Sequence, residues 1–495
     1  MPAMTRRAVG ASSIALLAGC ATASGGQIAA RAPAAIGAFG IDLSGGDPSV
    51  HPGDDFFRHA NGAWLANTEI PADRTRWGTF DILRDKADRD QRVIIEEVAL
   101  AGGAPNSNQE KIANIYNTYL DQDAIDAAGL AALGADLAVI ESARTHEDVM
   151  RLMGRADIAA NGPIVAFIGL DSRQPDRYIV TFTHGGIGMP EREYYRRADA
   201  QFPQIREAYL AYIERVLSLA NQDDAAAKAR AILALETQIA ELHWPIADRR
   251  QRDRTYFLQT RDELRAIAPR FPWDAGLEAA QVGDVREVVV REMSAMRPLA
   301  DLFMATPVST WRTYLAFHCI NNRTDVLPRA FDEASFDFYG RRLNGQPEPR
   351  ERWKRAIDAV NGAMGEAVGE LYVARHFPPE AKAQMLELVE NLRTAYGQRI
   401  DTLSWMSPET KVVAREKLAA FIPRIGYPDR WRDYTALDVR RGDAYGNAKR
   451  ITLFNDAFQR DRLRRPVDKG EWNFTPQTVN ASYNPVMNVI TFPAA

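Results

Sequence analysis

The sequence predicts a mainly α protein: a large multi-helical lobe with a few short strands. Three observations lead there. Apolar residues recur at helical spacing through most of the chain, strand-type alternation is confined to a few short runs, and helix-start chemistry stands where a periodic segment begins. The chain has 495 residues, 46% hydrophobic and 25% charged, enough for one large core or a few ordinary ones.

Taken in order, Ile164–Leu170 and Tyr178–Thr183 are apolar or alternating runs separated by the turn-rich 171–176, which predicts a hairpin with a longer loop. In 203–220, Ile205, Tyr209, Tyr212, Ile213, Val216 and Leu217 share one helical stripe. Ile232, Leu235, Ile239 and Leu242 do the same in 227–244. Met385, Leu388, Leu392, Tyr396, Ile400 and Leu403 extend the pattern over a long helix. Ser407-Pro408-Glu409 opens another, because a serine oxygen accepts from an orphan amide and proline and glutamate suit the first turn. That helix runs to about Phe421, before Pro423. Residues 344–349 read as a surface connection, and 426–450, rich in Gly, Asp and Arg, as an irregular crossing. Val486–Phe492 is the last strand candidate. No internal repeat is visible.

The formal charge is −4 and no basic block stands out, which argues against a nucleic-acid surface. The two cysteines are Cys20 and Cys319; with Cys20 in a leader, no disulfide framework is available. Arg6 and Arg7 start a short apolar run, Val9–Ala18, that is too short to span a bilayer. Leu17-Ala18-Gly19-Cys20 follows and resembles the lipobox of bacterial lipoproteins, which implies lipidation of Cys20 and a place on the periplasmic face of a bacterial membrane. The alternative is an ordinary signal peptide with an incidental cysteine. Residues 21–40, mostly Ala, Gly and Ser, read as a flexible tether.

Several separated segments carry a family resemblance. They are Asp55-Phe56-Phe57-Arg58-His59-Ala60-Asn61-Gly62-Ala63-Trp64-Leu65, then Ile70-Pro71, Arg76-Trp77-Gly78-Thr79-Phe80, Gly186-Ile187-Gly188-Met189-Pro190-Glu191-Arg192-Glu193-Tyr194-Tyr195, Leu235-Glu236, His243-Trp244 and Trp472-Asn473-Phe474-Thr475-Pro476-Gln477-Thr478-Val479-Asn480-Ala481. In this order they resemble the neprilysin and endothelin-converting-enzyme type of zinc metallopeptidase over roughly residues 41–495. The resemblance implies a helical lobe that restricts access to a cleft, followed by the first strand region of a thermolysin-like catalytic lobe. It implies peptide substrates and zinc. It also implies that Asn480 and Ala481 hold substrate backbone, that Arg76 contacts the carboxylate side of the substrate, and that Phe80 lines the pocket after the cleaved bond.

The residues alone leave other readings. Asn480 could simply cap a turn, Arg76 could form a surface salt bridge, and Phe80 could be core. An exposed strand edge does offer unpaired amides to an extended peptide, and asparagine both donates and accepts. The chain departs from the pattern at Ser482, where an aromatic is usual, and at Val489, which replaces a polar residue.

Zinc in this family is held by His-Glu-x-x-His and a later glutamate. None of the seven histidines offers that spacing: His146-Glu147 is the only His-Glu pair, and position 150 is methionine. His184 and His243 read as packed, hydrogen-bonded residues. The chain stops after Phe492-Pro493-Ala494-Ala495, shortly before the family places its metal motif, so the sequence favours a fragment whose last strand has an open apolar edge. The expected layout is a signal peptide over 1–20, a tether over 21–40, a helical domain over 41–430, a crossing segment over 431–478 and the start of the catalytic domain over 479–495. The expected activity is that of a zinc metalloendopeptidase acting outside the cytoplasm, with this chain inactive alone for want of metal ligands. The alternative is a non-catalytic, membrane-anchored peptide-binding lipoprotein.

Overall fold

A computed structural model describes residues 43–199 and 201–495. The segments expected to be a signal peptide and a tether, with Cys20, lie outside these residues. Contacts divide the chain after Glu69. In the first unit, helix α1 (Phe56–Asn67) starts on Asp55, whose carboxylate accepts from the Arg58 amide.

The second unit is mainly helical. Its larger core surrounds α4 (Phe202–Leu219), α5 (Ala225–Leu242) and α6 (Val308–Asn321), with Tyr209, Phe303, Trp311, Tyr314 and Phe317 fully buried. The stripes read from 203–220 and 232–239 are the buried faces of α4 and α5. A second core lies between α2 (Thr79–Ala101), α3 (Asn108–Leu120) and α7 (Arg352–His376), and includes Tyr434 and Leu437. The predicted hairpin forms as β1 (Ile164–Leu170) and β2 (Tyr178–His184). It belongs to a four-stranded sheet in the order β1-β2-β4-β3, with β3 at Phe257–Thr260 and β4 at Glu287–Val290. These last two are only four residues long, too short to stand out in the sequence.

Helices α8 (Pro379–Thr402) and α9 (Pro408–Ala419) follow, with the Ser407 hydroxyl accepting from the Thr410 amide at 3.2 Å. The stripe on α8 is present, but Val389 is the one buried residue of that helix and α9 has none.

The span read as irregular over 426–450, and as a crossing over 431–478, contains a 19-residue helix, α10 (Ala444–Arg462). Its apolar pattern is thin because polar anchors hold it. Tyr445 and Lys449 both donate to the buried Asp136 carboxylate, at 2.7 and 2.5 Å. Ahead of it, the buried Lys111 ammonium donates to the Tyr434 and Thr435 carbonyls, and Thr118 accepts from the Gly442 amide. Burial pushes the Lys111 pKa down.

A second sheet has the order β5-β7-β6: β5 (Ile422–Gly426) runs parallel to β7 (Val489–Pro493), and β6 (Ser482–Asn484) pairs antiparallel with β7. The expected open edge on the last strand is therefore corrected. β7 is the central strand, with alternate residues Val489, Thr491 and Pro493 buried, and β6 is the edge. No helix among the described residues is long and apolar enough to cross a membrane.

Candidate functional site

The edge strand β6 is built from α7 outward. Met364 breaks the helical path of α7 with φ −137° and ψ 36°, and Gly365 and Gly369 follow one turn apart. Their missing side chains let residues 475–477 lie against the helix. A Cβ on Gly365 would come 2.6 Å from Thr475 Cγ2, and one on Gly369 2.6 Å from Pro476 Cδ. Gln477, buried, then ties the segment down: its Nε2 donates to Asn361 Oδ1 at 2.8 Å and to the Gly365 carbonyl at 2.9 Å. Asn361 donates onward to Gln91 Oε1 of α2 at 2.7 Å. A relay of three side-chain amides thus spans α2, α7 and the lead-in to β6.

Past this anchor Asn480 and Ala481 are exposed, directly ahead of β6. Asn480 Oδ1 accepts from the Ala481 amide at 2.8 Å, and the Asn480 side-chain NH2 has no partner among the described residues. This local bond is the turn-type contact that asparagine offers on its own, beside an edge that has backbone groups to give. Tyr483 follows, half exposed, stacked on Phe421 and donating to Asn488 Oδ1 at 3.0 Å.

Arg76 and Phe80 sit at the start of α2. The Phe80 ring is 64% exposed, so the core alternative for it does not hold. Arg76 is also exposed, with Nε 3.7 Å from the Asp81 carboxylate. No hydrogen bond, ion pair or ring contact joins either residue to Asn480 or Ala481 among the described residues. Two of the predicted contacts are thus adjacent to one another, and the other two lie on a separate element. Gln477, Asn361, Gly365 and Gly369 were not singled out by the sequence. The available signal was Gly-x-x-x-Gly on a helical segment, which marks a face that another backbone can approach.

The histidines do not form a zinc centre. His184 and His243 are buried and stacked, ring centroids 3.8 Å apart. His243 Nε2 donates to the Gly185 carbonyl at 3.0 Å, and His184 Nε2 accepts from the Trp244 amide at 3.2 Å. Burial, together with the nearby Arg249 charge, drives the His184 pKa down to about 3; burial and the His184 neighbour drive His243 to about 3. His318 Nε2 donates to the fully buried Glu236 at 2.8 Å, whose carboxylate also accepts from Tyr195, Tyr209 and the Gly188 amide. His59 bonds the Val50 carbonyl and His146 the Thr306 carbonyl. No group of three or more metal-ligating side chains occurs among the described residues. The donor set present therefore does not fit zinc.

Comparison with known proteins follows the same outline. The sequence model of Peptidase family M13 matches residues 52–428. Human endothelin-converting enzyme-like 1 is 29% identical over 473 residues, covering 90% of this chain and 60% of its own. Neprilysin-3 of Drosophila melanogaster is 26% identical over 491 residues, covering 90% and 61%. The zinc metalloprotease Zmp1 of Mycobacterium tuberculosis, in complex with an inhibitor, superposes with a TM-score of 0.86 at 39% identity, covering 92% of this chain and 69% of that one. The chain spans about three-fifths of the length of the curated relatives it matches.

Proposed function

The chain belongs to peptidase family M13, the neprilysin and endothelin-converting-enzyme type of metallopeptidase, and from that membership we propose that its work is to hold an extended peptide along β6 for a zinc-dependent endopeptidase. The observation that carries this reading is the amide-anchored edge: Gln477 is locked to α7, and Asn480 and Ala481 stand exposed at the head of the edge strand β6. A peptide entering beside β6 extends the order β5-β7-β6 by one strand, gaining main-chain hydrogen bonds whatever its sequence. The Asn480 amide is free to donate to a substrate carbonyl, and rotation of its oxygen off Ala481 supplies the acceptor.

Arg76, exposed and only loosely paired, is available to a carboxylate, and Phe80 to an apolar side chain. Zinc, in a family member that carries it, supplies a Lewis acid and an activated water. His59, His146, His184, His243 and His318 are hydrogen-bonded within the fold and no cluster of metal-ligating side chains occurs among the described residues, so cleavage requires ligands that these residues do not provide. The lipobox-like Leu17-Ala18-Gly19-Cys20 supports a further reading, export and lipid attachment at Cys20, with action outside the cytoplasm.

Fluorescence anisotropy with labelled peptides tests the binding role. The wild-type chain is expected to bind, and Asn480→Ala to weaken binding about ten-fold, roughly the loss of one or two hydrogen bonds. Unchanged affinity in Asn480→Ala overturns the role given to that residue. Stoichiometric tight zinc, with chelator-sensitive cleavage by these residues alone, overturns the separation of binding from catalysis. A second reading, a peptide-binding lipoprotein without catalysis, shares the same strand; cleavage by any assembly containing this chain removes it.

A further inference from the structure

β6 is three residues long and has β7 as its ladder partner among the described residues. An edge strand so short frays readily, so it presents a steady edge to a peptide only if something besides the ladder fixes it. Asn488 supplies that fixing. It closes the turn after β6, with φ 55° in the left-handed region. Few residues other than glycine enter that region readily, and asparagine is one of them. The turn itself is set by Asn484, whose Oδ1 accepts from the Val486 and Met487 amides at 3.0 and 3.3 Å.

From this position Asn488 reaches three elements. Its Oδ1 accepts from the Tyr483 hydroxyl at 3.0 Å, its Nδ2 donates to the Lys417 carbonyl at 2.8 Å, and its own carbonyl accepts from the Ile422 amide at 3.0 Å. Tyr483 is the middle residue of β6, Lys417 lies in the last turn of α9, and Ile422 opens β5. The Lys417 carbonyl is one of those that a helix end leaves over, since the Ala420 and Phe421 amides go to Glu416 and Leu418. The Tyr483 ring also stacks on Phe421, just past α9, with centroids 6.3 Å apart and planes at 23°. One side chain of β6 is thus clamped to the end of α9. None of these contacts depends on what packs against the outer faces of α8 and α9.

We propose that Asn488 is a positioning residue for the peptide: by joining the Tyr483 hydroxyl to the end of α9, it fixes the tilt and register of β6 before a peptide strand adds. The proposal rests on the strand-addition reading above and names the residue that makes the edge rigid. An edge already in its bound shape spares the complex the cost of ordering it, which raises affinity. The chemistry is specific to asparagine. Glycine keeps the backbone conformation and loses both side-chain bonds, whereas aspartate keeps the acceptor for Tyr483 and loses the donor to Lys417.

The test uses the full chain and three fluorescein-labelled nonapeptides. One alternates valine and serine; the other two are the same peptide N-methylated at a central valine or at the serine next to it. Successive amides of a strand point to opposite sides, so a peptide added to β6 loses a bond from one methylation and not from the other. The wild-type chain should therefore separate the two methylated forms by about ten-fold or more. Tyr483→Phe keeps the ring stack and removes only the hydroxyl. It should bind the parent peptide about five-fold more weakly and hold the methylated forms within about three-fold of each other, at an unchanged urea midpoint. Asn488→Gly should act in the same way, and Asn488→Asp should recover most of the wild-type separation.

A contact that serves stability alone would lower the midpoint and leave the separation of the methylated forms intact, and that result overturns the positioning role. Wild-type binding of all three peptides by both Tyr483→Phe and Asn488→Gly overturns it as well. In either case strand addition stands. Should Asn488→Gly fail to fold, Tyr483→Phe decides alone. If the wild-type chain binds no peptide, or binds the two methylated forms equally, strand addition fails and the positioning role fails with it.

Discussion

Gln477 donates one amide hydrogen to Asn361 Oδ1 and the other to the carbonyl of Gly365, so a single side chain fixes the lead-in of β6 to two successive turns of α7. Asn361 passes the relay on to Gln91, which in turn bonds the Ala87 carbonyl. Asn361→Ala removes the middle of this chain and strands a buried acceptor on Gln91 and a donor on Gln477. The expected cost is about 1–3 kcal/mol of stability, together with weaker peptide binding. Urea unfolding and peptide anisotropy on the same sample check it; an unaltered midpoint sinks the idea that the relay is structural.

The glycines of α7 should split by position. Gly369→Ala puts a methyl 2.6 Å from Pro476 Cδ, and Gly365→Ala one 2.6 Å from Thr475 Cγ2. Each must displace the lead-in, with destabilisation of about 1–3 kcal/mol and a shift in how β6 presents its edge. Gly362 sits in the same helix with nothing within 4 Å of its added Cβ. Gly362→Ala should stabilise by about 0.5–1 kcal/mol through helix propensity alone. Thermal unfolding of the three variants reads the contrast, and equal effects would refute the close-approach argument.

Glu236 is a saturated buried carboxylate, accepting from Tyr195, Tyr209, His318 and the Gly188 amide. Glu236→Gln is nearly isosteric but turns an NH2 group toward donors. Because every donor around the site loses part of its acceptor in a dry core, about 3–5 kcal/mol should be lost. A change below about 1 kcal/mol in urea-derived stability would show that the network repacks.

Acid should weaken the fold before the carboxylates titrate. His184 and His243 have folded pKa values near 3, below the ordinary 6.5. Between those values the unfolded chain binds more protons than the folded one, so stability rises with pH. Their contribution is complete above about pH 6.5 and declines as pH falls, by up to about 1.4 kcal/mol per pH unit for each histidine. Arg249 presses in the same direction and Glu292 against it. His243→Phe should flatten the stability profile between pH 4.5 and 6.5. Identical urea midpoints for the wild-type chain at pH 7 and pH 5 would rule this out.

Much of the helical lobe was legible because its stripes are wide: Tyr209, Ile213 and Val216 had no other place to go than a core. The Ser407 start was legible because capping is local. Helix α10 was not, since Tyr445 and Lys449 reach an aspartate three hundred residues earlier, and such anchoring leaves no periodic trace. The apolar stripe of α8 was visible, but its partner was not: periodicity says which side is apolar and nothing about what faces it. At the site, Asn480 and Ala481 could be named by resemblance. Gln477 could not be assigned a role, because its meaning lies in a partner on another helix.

The parallel pairing of β5 with β7 has a kinetic consequence. Ile422 and Val489 meet only after the whole of 427–488, including α10, has been made and looped back. Closing so long a loop is slow relative to forming the local helices. The helical lobe therefore has time to set before the small sheet exists, and the sheet is the piece most able to detach while the rest stays folded. Hydrogen exchange at β6 and β7 should be governed by that partial opening, leaving the β6 edge as the least protected structured backbone in a molecule whose interior hardly exchanges.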